Sequence, residues 1–285
     1  MIRTELISKL NKQNLSNYLN NPVVPLIIYG DKYLYKDKII SSLAQRILAL
    51  NDLEFKRYPY ILRIKAIDKK IGIDQIKEIN KFINLKVPID KEINRVILIN
   101  NSDKMTLEAQ NAFLKNLEEP PKSTLFILST NNLNSLLATI KSRCIKIRIL
   151  KPSSDEIIDH YKNLGYQLED IKKAMNISNS LPRLIYKILI NKNSNIDEQI
   201  SIAKDILSND QFNRLKMVDN LVKDKEKIMD IFYIIKQMSK FGLLSKSYQD
   251  SLKWLKILNK TLIAEEDLEN QVHLKTLLSD YFLNI

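Results

Sequence analysis

The sequence predicts an α/β domain built on a parallel five-stranded sheet, followed by two helical domains. Three observations carry this. Through residue 150, short β-branched and nearly continuous apolar runs alternate with helical patterns, as buried parallel strands do when helices cover the sheet. Beyond Lys151-Pro152 the strand pattern stops, and apolar residues recur at helical spacing. Four glycines and eight prolines in 285 residues are too few for the many turns of an all-β chain.

Taken in order, the candidate strands are Val23–Tyr29, Tyr60–Ala66, Arg95–Asn100, Thr124–Thr130 and Cys144–Ile149. Helices are predicted between them, from about Lys38 to Leu50 and from about Asp74 to Asn84. A third carries Ala109, Ala112, Phe113 and Leu117 on one face and stops at Pro120-Pro121, because a residue before proline avoids the α region. Glu118 and Glu119 read as the end of that helix, with Glu119 fixed by Pro120. A short fourth helix, near Leu133–Lys141, precedes the last strand. Ser153–Leu164, Glu169–Met175 and Leu181–Ile190 follow as three short helices, and the polar stretch Asn191–Asn195 reads as a linker. Longer amphipathic helices come next. Their stripes are Ile228, Ile231, Phe232, Ile235 and Met238, then Leu252, Leu255, Leu258 and Leu262, then Leu274, Leu277, Leu278 and Tyr281. Trp254 reads as packing within the bundle. The expected division is 1–150, 151–192 and 193–285.

Composition narrows the chemistry. No apolar run approaches the ~18 residues of a membrane span. Met1–Asn20 is polar and lacks the apolar segment of a signal peptide. A soluble, cytoplasmic chain is expected. The one cysteine, Cys144, excludes an internal disulfide and a cysteine-based zinc site, and His160 and His273 are too far apart in sequence to suggest a metal pair. Cys144 reads as a small core residue rather than a nucleophile. Net charge is +12, and residues 1–150 hold 25 basic against 14 acidic side chains, so the excess belongs to the first half. That asymmetry fits a polyanion-binding face. A lysine-for-arginine composition bias (36 Lys, 9 Arg) fits the total but not the asymmetry.

A strand ending in Gly30 and followed by a helix is where a phosphate-binding loop would sit. Against the pattern G-x-x-x-x-G-K-[ST], Gly30 and Lys36 are in place, but Tyr35 stands where the second glycine belongs and Asp37 where the hydroxyl residue belongs. A tyrosine crowds a turn whose bare N–H groups must close on phosphate, and a carboxylate there repels it. Without those partners Lys36 reads as a solvated lysine. The strand Val96–Ile99 then ends in Asn100-Asn101, where a nucleotide-hydrolysing site needs acids to hold magnesium and orient water.

The run from Asp103 to Pro121, with Glu118-Glu119-Pro120-Pro121 at its end, then Thr130-Asn131, then Ser142-Arg143-Cys144, strongly resembles the clamp-loader subunits of bacterial DNA polymerase III, which are AAA+ proteins. Ile71–Ile76 is similar to the family's segment before the second acidic strand, and Ser180-Leu181-Pro182-Arg183 to its sensor 2 motif. The resemblance is dense over about residues 58–190. It implies an AAA+ domain, a helical lid and a C-terminal collar. It implies that Arg143 is an arginine finger acting on the ATP site of a neighbouring subunit, with Ser142 and Cys144 as its motif. Thr130 and Asn131 match sensor 1 by position and, without a γ-phosphate to sense, read as structural. Arg183 reads as a sensor 2 relic or a salt-bridging residue. The losses at Tyr35, Asp37, Asn100 and Asn101 place the chain with delta-prime members rather than tau/gamma motor subunits. Family members often carry a four-cysteine zinc module, for which this chain lacks the cysteines. No cofactor or metal is expected. The implied partners are tau/gamma motor subunits and delta, with the sliding clamp and primed DNA reached through the complex. An active motor ATPase and a stand-alone basic DNA-binding protein are the competing readings.

Overall fold

The computed structural model describes residues 7–68, 70–87, 91–189, 196–243, 248–269 and 272–285. The chain divides into two compact units, Met1–Glu156 and Ile157–Ile285. The predicted linker Asn191–Asn195 lies outside the described residues.

The first unit runs α1 (Lys9–Leu19), β1 (Leu26–Tyr29), α2 (Lys36–Ile47), α3 (Asp52–Arg57), β2 (Ile61–Ile64), α4 (Ile73–Ile83) and β3 (Arg95–Ile99). A 3-10 turn (Ser102–Lys104) leads to α5 (Leu107–Glu118) and β4 (Thr124–Thr130), and a second (Leu133–Ser135) to α6 (Ala138–Ser142) and β5 (Ile145–Arg148). The five strands form one sheet in the order β2-β3-β4-β1-β5, and every pairing is parallel. All five predicted strands are therefore present, most of them shorter than the apolar runs that announced them. The predicted helix at Leu133–Lys141 is split between the second 3-10 turn and α6.

Alternation on the central strands gives the sheet two apolar faces. Ile27, Ile97, Ile99, Phe126 and Leu128 point to the side covered by Ile76 and Ile79 of α4 and Ala109, Phe113 and Leu117 of α5. Phe113 meets Phe126 edge to face at 5.3 Å between ring centroids. The alternate residues, among them Leu26, Ile28, Val96, Leu98 and Ile127, are equally buried, and α2 packs on β1, β3 and β4. Arg95 opens β3 and is almost wholly buried. Its guanidinium donates to the carbonyls of Ile83 and Leu85, which places a cation at the C-terminal end of α4.

Helix α1 was not expected from its polar sequence. Its anchor is Asn11, fully buried, which donates from Nδ2 to the carbonyl of Arg148 at 2.6 Å. Asn11 Oδ1 accepts from the backbone N–H of Leu150 at 2.8 Å and from the Ser8 hydroxyl at 2.6 Å. One side-chain amide thus satisfies the backbone where β5 ends. Cys144 lies just before β5 within the α4/α5 core cluster, and burial pushes its thiol up to about 12.

The second unit is helical: α7 (Ser154–Asn163), α8 (Leu168–Ser178), α9 (Pro182–Leu189), α10 (Ile196–Ser208), α11 (Gln211–Leu221), α12 (Lys225–Gly242), α13 (Tyr248–Glu269) and α14 (Leu274–Asn284). Helix α12 is central, packing against α8, α10, α11 and α13. Its predicted stripe is buried from Ile228 to Ile235. Phe232 stacks at 4.7 Å on Tyr281 of α14, whose hydroxyl pairs with Thr261 at 2.7 Å. The expectation for α13 is corrected. Its buried face is Ile257, Thr261, Ala264 and Leu268, while Leu252, Leu255 and Leu262 are exposed. A leucine count located the apolar stripe on the wrong side, because the inward face uses small and polar residues to let α12 and α14 approach. Among the described residues no helix is long and apolar enough to cross a membrane, and no cluster of three or more His, Cys, Asp and Glu side chains could hold a metal.

Two outcomes follow. Asn11→Leu takes the side-chain partner from the Arg148 carbonyl and the Leu150 amide, and should cost about 1–2 kcal/mol, read as a lower urea midpoint and faster exchange of the Leu150 amide. An unchanged midpoint would mean that α1 is not held by these bonds. Cys144 should resist a thiol-reactive disulfide reagent in the native chain and react fully once unfolded. Because the native thiol keeps its proton to about pH 12 while an unfolded one loses it near ~8.5, stability should fall as pH rises through that interval. Rapid native labelling at pH 8 would contradict the burial.

Candidate functional site

In a parallel sheet all C-terminal strand ends share one edge, and the loops that leave it are where α/β folds place ligands. Three of the sequence-predicted segments meet there. Gly30 follows β1, Asn100 follows β3, and Thr130-Asn131 closes β4, on adjacent strands in register.

Gly30 has a structural reason of its own. Its φ is +154°, and a Cβ there would lie 2.7 Å from the Ile149 carbonyl oxygen, so the close approach of the chain beyond β5 demands glycine whether or not phosphate binds. Tyr35 occupies the left-handed region at φ 37°. The turn thus keeps the shape that a glycine would give it, at a cost of about 1–2 kcal/mol for an L-residue. The Tyr35 ring lies under the Lys38 ammonium at 4.7 Å. Lys36 is not solvated, as expected from the sequence, but buried, and its ammonium donates to the carbonyls of Gly30, at 2.9 Å, and Asp31. Asp37 sits exposed in the first turn of α2, where its carboxylate meets the positive end of the helix dipole.

The β3 end is equally occupied. Asn100 donates its backbone N–H to Ile64, and its buried Oδ1 has no partner. Asn101 is left-handed at φ 52° and lies 3.4 Å through Oδ1 from the side-chain amide of Asn131. The nearest acid is Asp103. Its Oδ1 accepts from the Asn131 backbone N–H at 2.9 Å and lies 3.0 Å from the Thr130 hydroxyl. That carboxylate ties the end of β4 to the turn after β3. Nothing in the sequence pattern singled out this role, although its place three residues beyond Asn100 was a signal.

Arg143 belongs to the opposite edge. It ends α6 immediately before β5, and the register pairs Leu26 with Ile145 at the start of both strands. The four residues of β1 separate it from the phosphate-type loop by roughly 13 Å at ~3.3 Å each. Its guanidinium donates to Glu118 Oε1 at 2.7 Å and to the Thr139 carbonyl at 2.9 Å, and its side chain is 35% exposed. Ser142 donates to the same carbonyl at 3.0 Å, and Cys144 is core, so the arginine is the triplet's one outward charge. Glu118, taken from sequence only as a helix end, is its ion-pair partner. Both residues flank β-strand N-termini, so the topology brings them together. Arg183, in the second unit, is exposed in the first turn of α9.

Comparison with known proteins now bears on this geometry. The family profile described as "DNA polymerase III, delta subunit" matches residues 4–153. The DNA polymerase III subunit delta' of Haemophilus influenzae is 26% identical over 179 residues, 58% of this chain and 54% of that protein. The subunit of the same name from Buchnera aphidicola subsp. Schizaphis graminum is 33% identical over 153 residues, 54% of this chain and 42% of its own length. The chain thus spans about half or less of these curated relatives. Among solved structures, a DNA polymerase III gamma subunit-related protein from Thermotoga maritima superposes with a TM-score of 0.54 at 20% identity, covering 95% of this chain and 96% of that one. The RuvB Holliday junction branch migration motor of the same organism gives 0.53 at 12% identity, covering 98% and 91%. These structural likenesses establish the AAA+ fold. With the profile covering more than half of its length and its relatives bearing the delta' name, the chain belongs to the DNA polymerase III delta-prime family of clamp-loader subunits.

Proposed function

We propose that this chain works as a catalytically silent clamp-loader subunit, which binds no nucleotide productively and lends Arg143 to an ATP site on a neighbouring motor subunit of the tau/gamma type. The observation that carries the reading is the placement of Arg143 on the sheet edge away from its own phosphate-type loop. Beyond its bonds to Glu118 and Thr139, a guanidinium there is placed to serve a phosphate brought by another chain rather than its own loop. The own loop, meanwhile, takes internal bonds from Lys36, and the end of β3 carries Asn100-Asn101 where acids would hold magnesium.

The Glu118 pair fits this role energetically. A partly exposed ion pair contributes only about 0.2–1 kcal/mol. It fixes the guanidinium's direction at small cost, and a γ-phosphate of higher charge density displaces the carboxylate readily. In the same reading α7–α9 act as a lid and α10–α14 as a collar, through which the chain joins motor and delta subunits in a ring that opens the sliding clamp and places it on primed DNA. Leu252, Leu255 and Leu262, exposed along one side of α13, give that collar an apolar surface to bury against a neighbour.

Arg143→Ala should leave the chain folded and the complex assembled, yet slow DNA-stimulated ATP hydrolysis. A finger supplied in trans is worth roughly 10³–10⁵ in rate at its own site. Other motor sites in the ring keep theirs, so the overall loss should be several-fold. Arg143→Lys should be impaired too, since a point charge lacks the planar fork. The test is steady-state ATPase of the reconstituted loader with clamp and primed DNA. Wild-type turnover at verified assembly would leave Ser142-Arg143-Cys144 a structural motif.

A further inference from the structure

Within the second unit, α8, α10, α12 and α13 border a cavity of about 500 Å³. Its wall is apolar, formed by Ile177, Leu207, Met238 and Ile257 with the indole of Trp254. The indole has its place because residue 242 is glycine. A Cβ at Gly242 would meet the Trp254 ring at 2.3 Å, so the ring lies against the end of α12 where any side chain would expel it. Among the described residues, the cations lining the cavity are Lys204 of α10 and Lys253 of α13, both exposed, and no Asp or Glu lines it. On the neighbouring α8, Lys172 and Lys173 are exposed one turn before Asn176, which lines the same cavity.

We infer that this cavity is a docking site for a short apolar segment of a partner protein flanked by acidic residues. The volume suits one or two bulky side chains, within the 300–1,000 Å³ of typical recognition pockets. Charge selects the rest: an occupant with carboxylates meets Lys204 and Lys253, whereas a basic occupant meets like charge. Two exposed cations on separate helices suit two carboxylates spaced along a peptide rather than the single head group of a small amphiphile. The site goes beyond the collar reading above, since Leu252, Leu255 and Leu262 do not line it.

Trp254 is the chain's one tryptophan and therefore reports directly on the cavity. The experiment titrates the full-length chain with the acetylated peptide Asp-Glu-Leu-Phe-Asp-Leu and follows Trp254 emission. Matched peptides carry Asn and Gln, or Lys, in place of the acids, and dodecanoate tests a free amphiphile. The acidic peptide should give a saturable emission shift with Kd on the order of 100 μM, weakening as salt rises. The Lys204→Glu, Lys253→Glu double variant should weaken it about tenfold or more. Because both lysines are exposed, that variant should keep the fold, checked by circular dichroism. No saturable shift, equal binding of the lysine peptide, or an unaffected double variant overturns the proposal. A response to dodecanoate with none to the acidic peptide also overturns it, assigning the cavity to a small amphiphile.

Discussion

The parallel direction of all five strands is the constraint on which the account rests. It sorts the chain's loops onto two edges of one sheet. Whatever follows a strand gathers at one edge, and whatever precedes a strand gathers at the other. Gly30 and Asn100 follow strands and Thr130 closes one, whereas Arg143 precedes one. No side-chain rearrangement carries a guanidinium from one edge to the other through a sheet whose central residues are completely buried. The same polarity therefore keeps Arg143 away from the chain's own phosphate-type loop.

Several residues of the phosphate-type loop have structural roles of their own. Gly30 persists for the sake of the Ile149 carbonyl, and Tyr35 holds a glycine-like backbone angle. Lys36 is satisfied by the loop it would otherwise extend from. Asp37 supplies the negative charge that the start of α2 favours, and Asp103 is engaged in joining two strand ends. The start of α2 itself carries no side-chain cap, and the buried Asn100 Oδ1 at the end of β3 has no partner.

Much of the fold was legible in the sequence. The strands announced themselves because parallel strands buried on both faces read as unbroken β-branched runs, and Tyr35, Asp37, Asn100 and Asn101 stood out because the positions around them match a nucleotide-site pattern. The failures have physical causes as well. Helix α1 is held by the amide of Asn11 rather than by an apolar stripe, so hydropathy could not find it. On α13 Leu252, Leu255 and Leu262 face outward, Leu258 is half-buried, and the packed side is Ile257, Thr261, Ala264 and Leu268, which periodicity in leucine alone cannot tell apart. Lys36 read as solvated because a lysine is rarely buried, and only the geometry of the loop carbonyls reveals its partners. The pairing of Arg143 with Glu118 joins residues 25 positions apart and depends on strand order.

The claim that the chain has no competent nucleotide site of its own is tested most directly by calorimetry of the purified chain with Mg-ATP at a few hundred micromolar, a range set by the ~1 μM to ~1 mM over which enzymes commonly bind substrate. The account predicts no saturable heat, with the chain still folded by circular dichroism. Stoichiometric binding in the micromolar range would contradict it, since Lys36 would then have left the Gly30 and Asp31 carbonyls for a phosphate.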